Sequence, residues 1–190
     1  RMMSSAAPAM WEYRIWPDDA GSMAYQLQTT LHFVEEPPRT DTYFMATARA
    51  PAQPKLRGGA RFDIKELLAR EAGLELWRPV IAAEFPFDDE DRATLARLYP
   101  AIPHSLQSLA ALRDAFLTEG PEITVDKKRQ IATEPGGLRA EIAAASLGEG
   151  ARTTLCLEHE SAAELAQHVD RFGFSNLPNL SYSAWLRQHI

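Results

Sequence analysis

Charged residues recur two positions apart along this chain, and the residues between them are often apolar. Lys55, Arg57 and, after a glycine pair, Lys65 follow this spacing, while Phe62 and Ile64 occupy alternate positions. A β-strand repeats every two residues, so the charged side chains share one face and the apolar side chains share the other. The same spacing occurs in the pairs Glu12/Arg14, Arg61/Asp63, Lys127/Arg129, Arg139/Glu141 and Glu158/Glu160.

Faces of this composition suit the binding of a phosphorylated ligand. Arginine and lysine make charge-assisted hydrogen bonds to phosphate oxygens, and grouped carboxylates bind Mg²⁺ or Mn²⁺ ions that bridge those oxygens. If the sheet closes into a barrel with helices outside, the charged face lines the interior. Unpaired charges there are costly, and a bound polyphosphate offsets that cost. The alternatives are a solvated sheet face and internal salt bridges between the basic and acidic residues.

The elements that would position these residues are mostly strands. Alternation predicts strands at 10–16, 31–36, 41–49, 55–68, 74–85, 123–134, 138–147 and 152–160. The segment 55–68 is predicted as two short strands or one bent strand, and "PPRT" as a turn between the second and third strands. The sequence therefore predicts an α+β fold with seven or eight strands in an antiparallel sheet or barrel.

Two helical stretches interrupt the strands. Residues 88–119 are predicted as a helical insertion, with the second helix starting behind Ser105. A later helix begins with a capping box formed by Ser161 and Glu164 and ends at Gly173.

Composition narrows the class of protein. The 190 residues suit one domain at 10–190 after a tail at 1–9, and the net charge of −6 disfavours nucleic-acid binding. Cys156 is the single cysteine, so no internal disulfide forms and a reducing, cytoplasmic location is predicted. No apolar run is long enough to span a membrane. We expect a small-molecule partner and a monomer or homodimer.

Several short motifs, in order, resemble the CYTH superfamily of triphosphate tunnel metalloenzymes, which includes class IV adenylyl cyclases and thiamine triphosphatases. The similar segments are "DTYF" (41–44), "KLR" (55–57), "FDIK" (62–65), "VDKKR" (125–129), the run from 140 to 160 and "LSYSAWL" (180–186). The resemblance implies an eight-stranded antiparallel tunnel that binds a triphosphate with a divalent metal, Mg²⁺ or Mn²⁺.

The resemblance and the charge pattern together assign three sets of residues. The expected catalytic residues, which clamp phosphates and stabilise charge in phosphoryl transfer, are Lys55, Arg57 and Lys65. The expected substrate-binding residues are Arg14, Lys127, Arg129 and Arg139. The expected metal ligands are Glu12, Glu141, Glu158 and Glu160. His159 is expected at the surface, facing away from these glutamates.

The first strand departs from the family pattern. The family carries E-x-E-x-K there, with glutamates that serve the metal, whereas this chain has Met10, Glu12 and Arg14. Arginine binds phosphate but does not act as a proton acceptor. The leading hypothesis is a metal-dependent phosphohydrolase of inorganic or organic triphosphate. The alternatives are an ATP cyclase, a polyphosphate or nucleotide binder that has lost catalysis, and an interaction protein whose charged barrel is structural.

Overall fold

Eight strands form one closed antiparallel sheet in this computed structural model, which describes residues 7–148 and 150–189. The order around the barrel is β1-β5-β4-β3-β2-β6-β7-β8. The strands are β1 (Met10–Ile15), β2 (Phe33–Phe44), β3 (Ala52–Arg57), β4 (Arg61–Glu71), β5 (Leu74–Glu84), β6 (Glu122–Thr133), β7 (Arg139–Leu147) and β8 (Gly150–His159). The predicted α+β barrel with flanking helices is confirmed. The predicted tail at 1–9 lies largely outside the described residues.

Five α-helices accompany these strands in the described part of the chain. They are α1 (Gly21–Thr30), α2 (Asp89–Leu98), α3 (Leu109–Glu119), α4 (Ala162–Arg171) and α5 (Tyr182–Arg187). The Ser161 hydroxyl accepts a hydrogen bond from the Glu164 backbone N–H, which confirms that capping residue. The predicted start of α3 behind Ser105 is wrong, because the hydroxyl of Ser108 caps the helix through the N–H of Ala111.

Two further predictions about the elements are corrected. The predicted turn at "PPRT" is absent, since β2 runs continuously from Phe33 to Phe44. Its pairing with β3 covers Asp41–Tyr43, so Pro37 and Pro38 lie in the exposed half of the strand outside that register. Helix α1 was not predicted, because Leu27 is the one buried residue that its mostly polar sequence contributes.

The chain divides into two compact units. The first contains residues 40–67 and 78–124. Its core packs α2 and α3 against the apolar face of β3 and β4, and the ring centroids of Phe44 and Phe62 lie 5.0 and 5.6 Å from that of Phe116. Burial of each such side chain stabilises the fold by about 1.5–3 kcal/mol.

The second unit contains residues 9–39, 68–77 and 125–189. Its core packs α1 and α4 against Tyr13 and Ile15 of β1 and Leu155 and Leu157 of β8. The alternate residues of these strands therefore point away from α1 and α4, to the inner face of the closed sheet. Among the described residues, none of the helices has the length and apolar character that crossing a membrane requires.

Candidate functional site

Seven of the predicted site residues belong to the second unit and lie on the inner face of the sheet. The strand register places Glu158 of β8 opposite Glu12 of β1 on one side and opposite Arg139 of β7 on the other. We call this set the inner-face cluster; its members are Glu12, Arg14, Lys127, Arg129, Arg139, Glu141 and Glu158. These seven predicted site residues share one face, because side chains alternate between the two faces along each of four neighbouring strands.

Arg14 is the hub of this cluster. Its Nη2 lies 3.0 Å from Glu141 Oε1, its Nη1 donates to Thr154 Oγ1 at 3.2 Å, and its Nε is 3.6 Å from Glu12 Oε1. Burial by itself would lower the pKa of Arg14, but the surrounding acidic groups outweigh it and the net direction is upward. The guanidinium therefore stays charged, and it serves the site as a fixed cation.

Glu141 is the carboxylate that balances this cation. Burial opposes its ionisation, but Arg14, Lys127 and Arg139 outweigh that effect and lower the pKa of Glu141 to about 2. Arg129 Nη1 lies 3.6 Å from its other oxygen. Breaking a buried pair of this kind by removing one partner costs about 3–5 kcal/mol.

The cluster contains four basic residues and three acidic ones, and the register places a further carboxylate, Glu75 of β5, opposite Glu12. Arg139 also forms an ion pair with Glu158. Opposite Lys127 and Arg129, β7 presents the small residues Ala145 and Ala143. Long basic side chains thus face small ones across β6 and β7.

Tyr182 of α5 joins the cluster, although no role was predicted for it from the sequence. The Lys127 ammonium lies 3.7 Å from the centre of its ring, and the Arg14 guanidinium carbon lies 4.5 Å from it. Its position within "LSYSAWL" was the only signal that could have singled it out.

A candidate metal site adjoins the ion pairs. Ligand atoms of Glu12, Cys156 and Glu158, all buried, lie within 4.8 Å of one another. Burial raises the pKa of the Cys156 thiol, so the thiol stays protonated at neutral pH. Mg²⁺ and Mn²⁺ prefer oxygen ligands, so the two carboxylates fit either ion, and phosphate oxygens would complete its coordination. Glu160 is exposed and follows the last residue of β8, so the structure does not bring it to this group.

The first unit carries its own basic face on β3 and β4. Lys55, Arg57 and Lys65 share one face, because the register pairs Lys55 with Asp63 and Gln53 with Lys65. Arg57 Nη2 lies 2.7 Å from Asp63 Oδ2, while the Lys55 ammonium lies 3.8 Å from an oxygen of the fully buried Asp41. The three predicted catalytic residues therefore lie together.

Lys55 is a buried lysine whose charged form a bound anion would stabilise. Burial lowers its pKa to about 8; Asp41 opposes the shift, and Arg57 and Lys65 add to it. An anion beside this lysine would favour the charged form, as an opposite charge within a few ångströms does.

His159 corrects one expectation. It lies on the helix-packed side, away from the glutamates, as expected from period two, but it is buried and not at the surface. Its Nδ1 accepts the backbone N–H of Ser161 at 2.9 Å, and its Nε2 lies 2.9 Å from the Gly136 carbonyl oxygen. The ring thus tethers the start of α4 to the β6–β7 turn.

Solved structures share this fold. The PH1819 protein from Pyrococcus horikoshii OT3 matches at 14% identity and a TM-score of 0.51, covering 95% of this chain and 99% of that one. A candidate adenylate cyclase from Bacillus halodurans matches at 14% identity and a TM-score of 0.53, with 90% and 93% coverage. A conserved hypothetical protein from Pyrococcus furiosus matches at 12% identity and a TM-score of 0.53, with 92% and 98% coverage. No family model and no curated protein matches the sequence.

The comparisons concern the fold of this chain. The chain has an eight-stranded antiparallel barrel shared with these structures, and the tunnel fold that the CYTH resemblance implied is confirmed. At 12–14% identity the similarity shows the fold alone. An activity must be argued from the residues of this chain.

Proposed function

We propose that this protein is a metal-dependent phosphohydrolase that binds inorganic or organic triphosphate on the inner face of its barrel. The observation that carries the proposal is the inner-face cluster, where four basic side chains and three glutamates share the face opposite the helix-packed core. A solvated sheet face would leave these groups in water, yet Arg14 and Lys127 are only 6% and 3% exposed.

The basic residues supply the phosphate contacts. Arg14, Lys127, Arg129 and Arg139 donate to phosphate oxygens and stabilise the negative charge that shifts among them as the bond breaks. Lys55, Arg57 and Lys65 have the same chemistry, and their assignment as catalytic residues is part of the proposal. The reaction consumes one water and converts triphosphate into diphosphate and phosphate.

The acidic residues provide the metal ligands. Glu12 and Glu158 would hold Mg²⁺ or Mn²⁺, with Glu141 fixing the position of Arg14 beside them. The bound cation supplies charge neutralisation at the phosphate oxygens. Glu160 stays a predicted ligand, although it is exposed and follows the last residue of β8.

A phosphate-release assay tests the proposal. We expect the purified protein to release phosphate from inorganic triphosphate with Mg²⁺ or Mn²⁺ and to stop when EDTA removes the metal. Arg129→Gln should slow the reaction at least about tenfold, since one charged contact to a developing anion is worth that much or more. Lys128→Gln is the matched control, because Lys128 is the exposed neighbour on the same strand. Equal rates for both variants would refute the role of Arg129, and no phosphate release by the wild type would refute the hydrolase.

A second candidate function is favoured by the first strand. Met10 stands where the family pattern has a glutamate, and the Arg14 guanidinium is not a proton acceptor. A protein with these changes would bind triphosphate without turning it over. Calorimetry that shows tight binding, together with an absence of phosphate release, would support this binder.

Conversion of ATP to a cyclic nucleotide is the related enzymatic alternative. The motif "DTYF" favours it, as does the fold shared with a candidate adenylate cyclase. Mass spectrometry of the products formed from ATP distinguishes cyclic AMP from ADP and phosphate. A cytoplasmic location and a monomeric or homodimeric state stay predictions.

A further inference from the structure

The C-terminal segment is fastened to the strand that carries Glu12 and Arg14. Strand β5 pairs with β1 at Met10–Glu12. Beyond that register, Asn179 Oδ1 accepts the Arg14 backbone N–H at 2.8 Å and the Leu180 N–H donates to the Arg14 carbonyl at 2.8 Å. Asn179 Nδ2 also donates to the Glu12 carbonyl at 3.0 Å. The segment therefore continues the hydrogen bonding of β1 next to the end of the β5 register.

This attachment determines where Tyr182 lies. Trp16 Nε1 donates to the Leu180 carbonyl at 2.9 Å, and the Trp16 ring stacks on Trp185 with centroids 4.0 Å apart. The same indole meets the Tyr182 ring edge-on at 5.0 Å. Ser181 caps α5 through the N–H of Ala184. Tyr182 is thus held by β1, by the residue after β1 and by its own helix, and it is buried.

We propose that Tyr182 is a positioning residue of the anion site, whose ring face holds the Lys127 ammonium and the Arg14 guanidinium in the orientation that binds triphosphate. This inference rests on the proposed function. Lys127 is 3% exposed, so the ring and nearby carboxylates replace the water that its ammonium would otherwise keep. An ammonium has three N–H donors, and an aromatic face on one side leaves the others directed away from the ring for an anion.

The Tyr182 ring has two cations beside it, and both lie close to Glu141. Glu141 is close enough for the lysine charge to contribute to its lowered pKa. The Arg14 guanidinium forms an ion pair with the same carboxylate at 3.0 Å. The ring therefore keeps two like charges next to each other, which is unfavourable in the free protein and becomes favourable when a trianionic or tetra-anionic chain of phosphates binds.

The prediction concerns the π face and not the hydroxyl of Tyr182. Calorimetry with inorganic triphosphate should give the same Kd, within about twofold, for the wild type and Tyr182→Phe. For Tyr182→Leu we expect a Kd at least about tenfold weaker, which corresponds to a desolvated cation–π interaction. Tyr25→Leu is the matched control, because Tyr25 is 69% exposed on α1. Thermal unfolding of each variant shows whether the fold is kept.

An isosteric series keeps the test decisive if Tyr182→Leu does not fold. Phenylalanine with one, two, three and five fluorines at position 182 retains its size while its ring face loses negative potential. We expect Kd to rise with each fluorine. A flat series, or equal affinities for Tyr182→Phe and Tyr182→Leu, would overturn the positioning role and leave the proposed function intact. If the wild type does not bind triphosphate, the proposed function fails, and the role of Tyr182 in it fails with it.

Discussion

Lys55→Met should change the pH dependence of stability in a direction that identifies Lys55 as a strained cation. The side chain is 14% exposed, and its pKa is lowered from 10.5 to about 8, chiefly by burial. The folded state therefore holds fewer protons than the unfolded state between pH 8 and pH 10.5. Stability rises with pH wherever the unfolded chain binds more protons. Lys55 thus destabilises the fold at neutral pH, and the penalty fades as the pH rises through this window.

The size of the effect follows from the pKa of Lys55 in the folded and unfolded states. A tenfold difference between the two acid dissociation constants corresponds to about 1.4 kcal/mol, so the penalty at neutral pH is about 3 kcal/mol at most. From pH 7 to pH 9.5, the wild type should gain about 2 kcal/mol in free energy of unfolding relative to Lys55→Met. Loss of the ammonium also leaves the nearby Asp41 carboxylate, 3.8 Å away, without this cation. The attraction between the two groups is already contained in the pKa of Lys55, because Asp41 opposes the downward shift.

Urea denaturation of both proteins at pH 7, 8, 9 and 9.5 measures this difference. Lys128→Met, which removes an exposed lysine from β6, controls for the change in net charge. The same variant pair should also differ in function, since Lys55→Met is expected to weaken triphosphate binding. A difference in unfolding free energy that stays flat from pH 7 to pH 9.5 would refute the argument that burial strains this lysine.

Other outcomes are expected from the same geometry. The pKa of Glu141 is lowered from 4.5 to about 2, so its stabilising effect is fully present above pH 4.5 and is lost as the pH falls to 2. In acid unfolding, the wild type should lose about 3 kcal/mol of unfolding free energy relative to Glu141→Gln between pH 5 and pH 2. Gly120→Ala should lower the free energy of unfolding by more than about 1 kcal/mol, because a Cβ there would lie 2.8 Å from a backbone carbonyl oxygen. Gly136→Ala is the control: its Cβ would meet nothing within 4 Å, and thermal unfolding should be nearly unchanged. Met10→Glu combined with Arg14→Lys should raise phosphate release above the wild-type rate if the first strand limits catalysis; no gain would show that it does not.

Much of the barrel could be predicted because alternation survives in every strand that packs a helix on one face. Phe62 and Ile64 are buried in the core while Lys55 and Lys65 lie on the other face, as period two requires. The predicted break in β2 failed for a local reason: proline lacks a backbone N–H, but Pro37 and Pro38 lie in an exposed segment outside the β2–β3 register, where no bond to β3 is lost.

Two features of the site could not be predicted from the sequence, because one depends on where a strand ends and the other on a tertiary contact. Glu158 and Glu160 share a face only while the strand continues, and β8 ends at His159, so Glu160 leaves the sheet. Tyr182 reaches the cluster through bonds between the C-terminal segment and β1, which are separated by more than 160 residues. No local spacing reports such a contact.

A crystal soaked with inorganic triphosphate and Mn²⁺ would show whether the inner face of the barrel binds polyphosphate. We expect phosphate oxygens in contact with Arg14, Lys127 and Arg129, and an anomalous manganese signal beside Glu12 and Glu158. Phosphate bound only on the outer surface of the sheet, or no bound phosphate at saturating concentration with every internal ion pair unchanged, would contradict this binding mode.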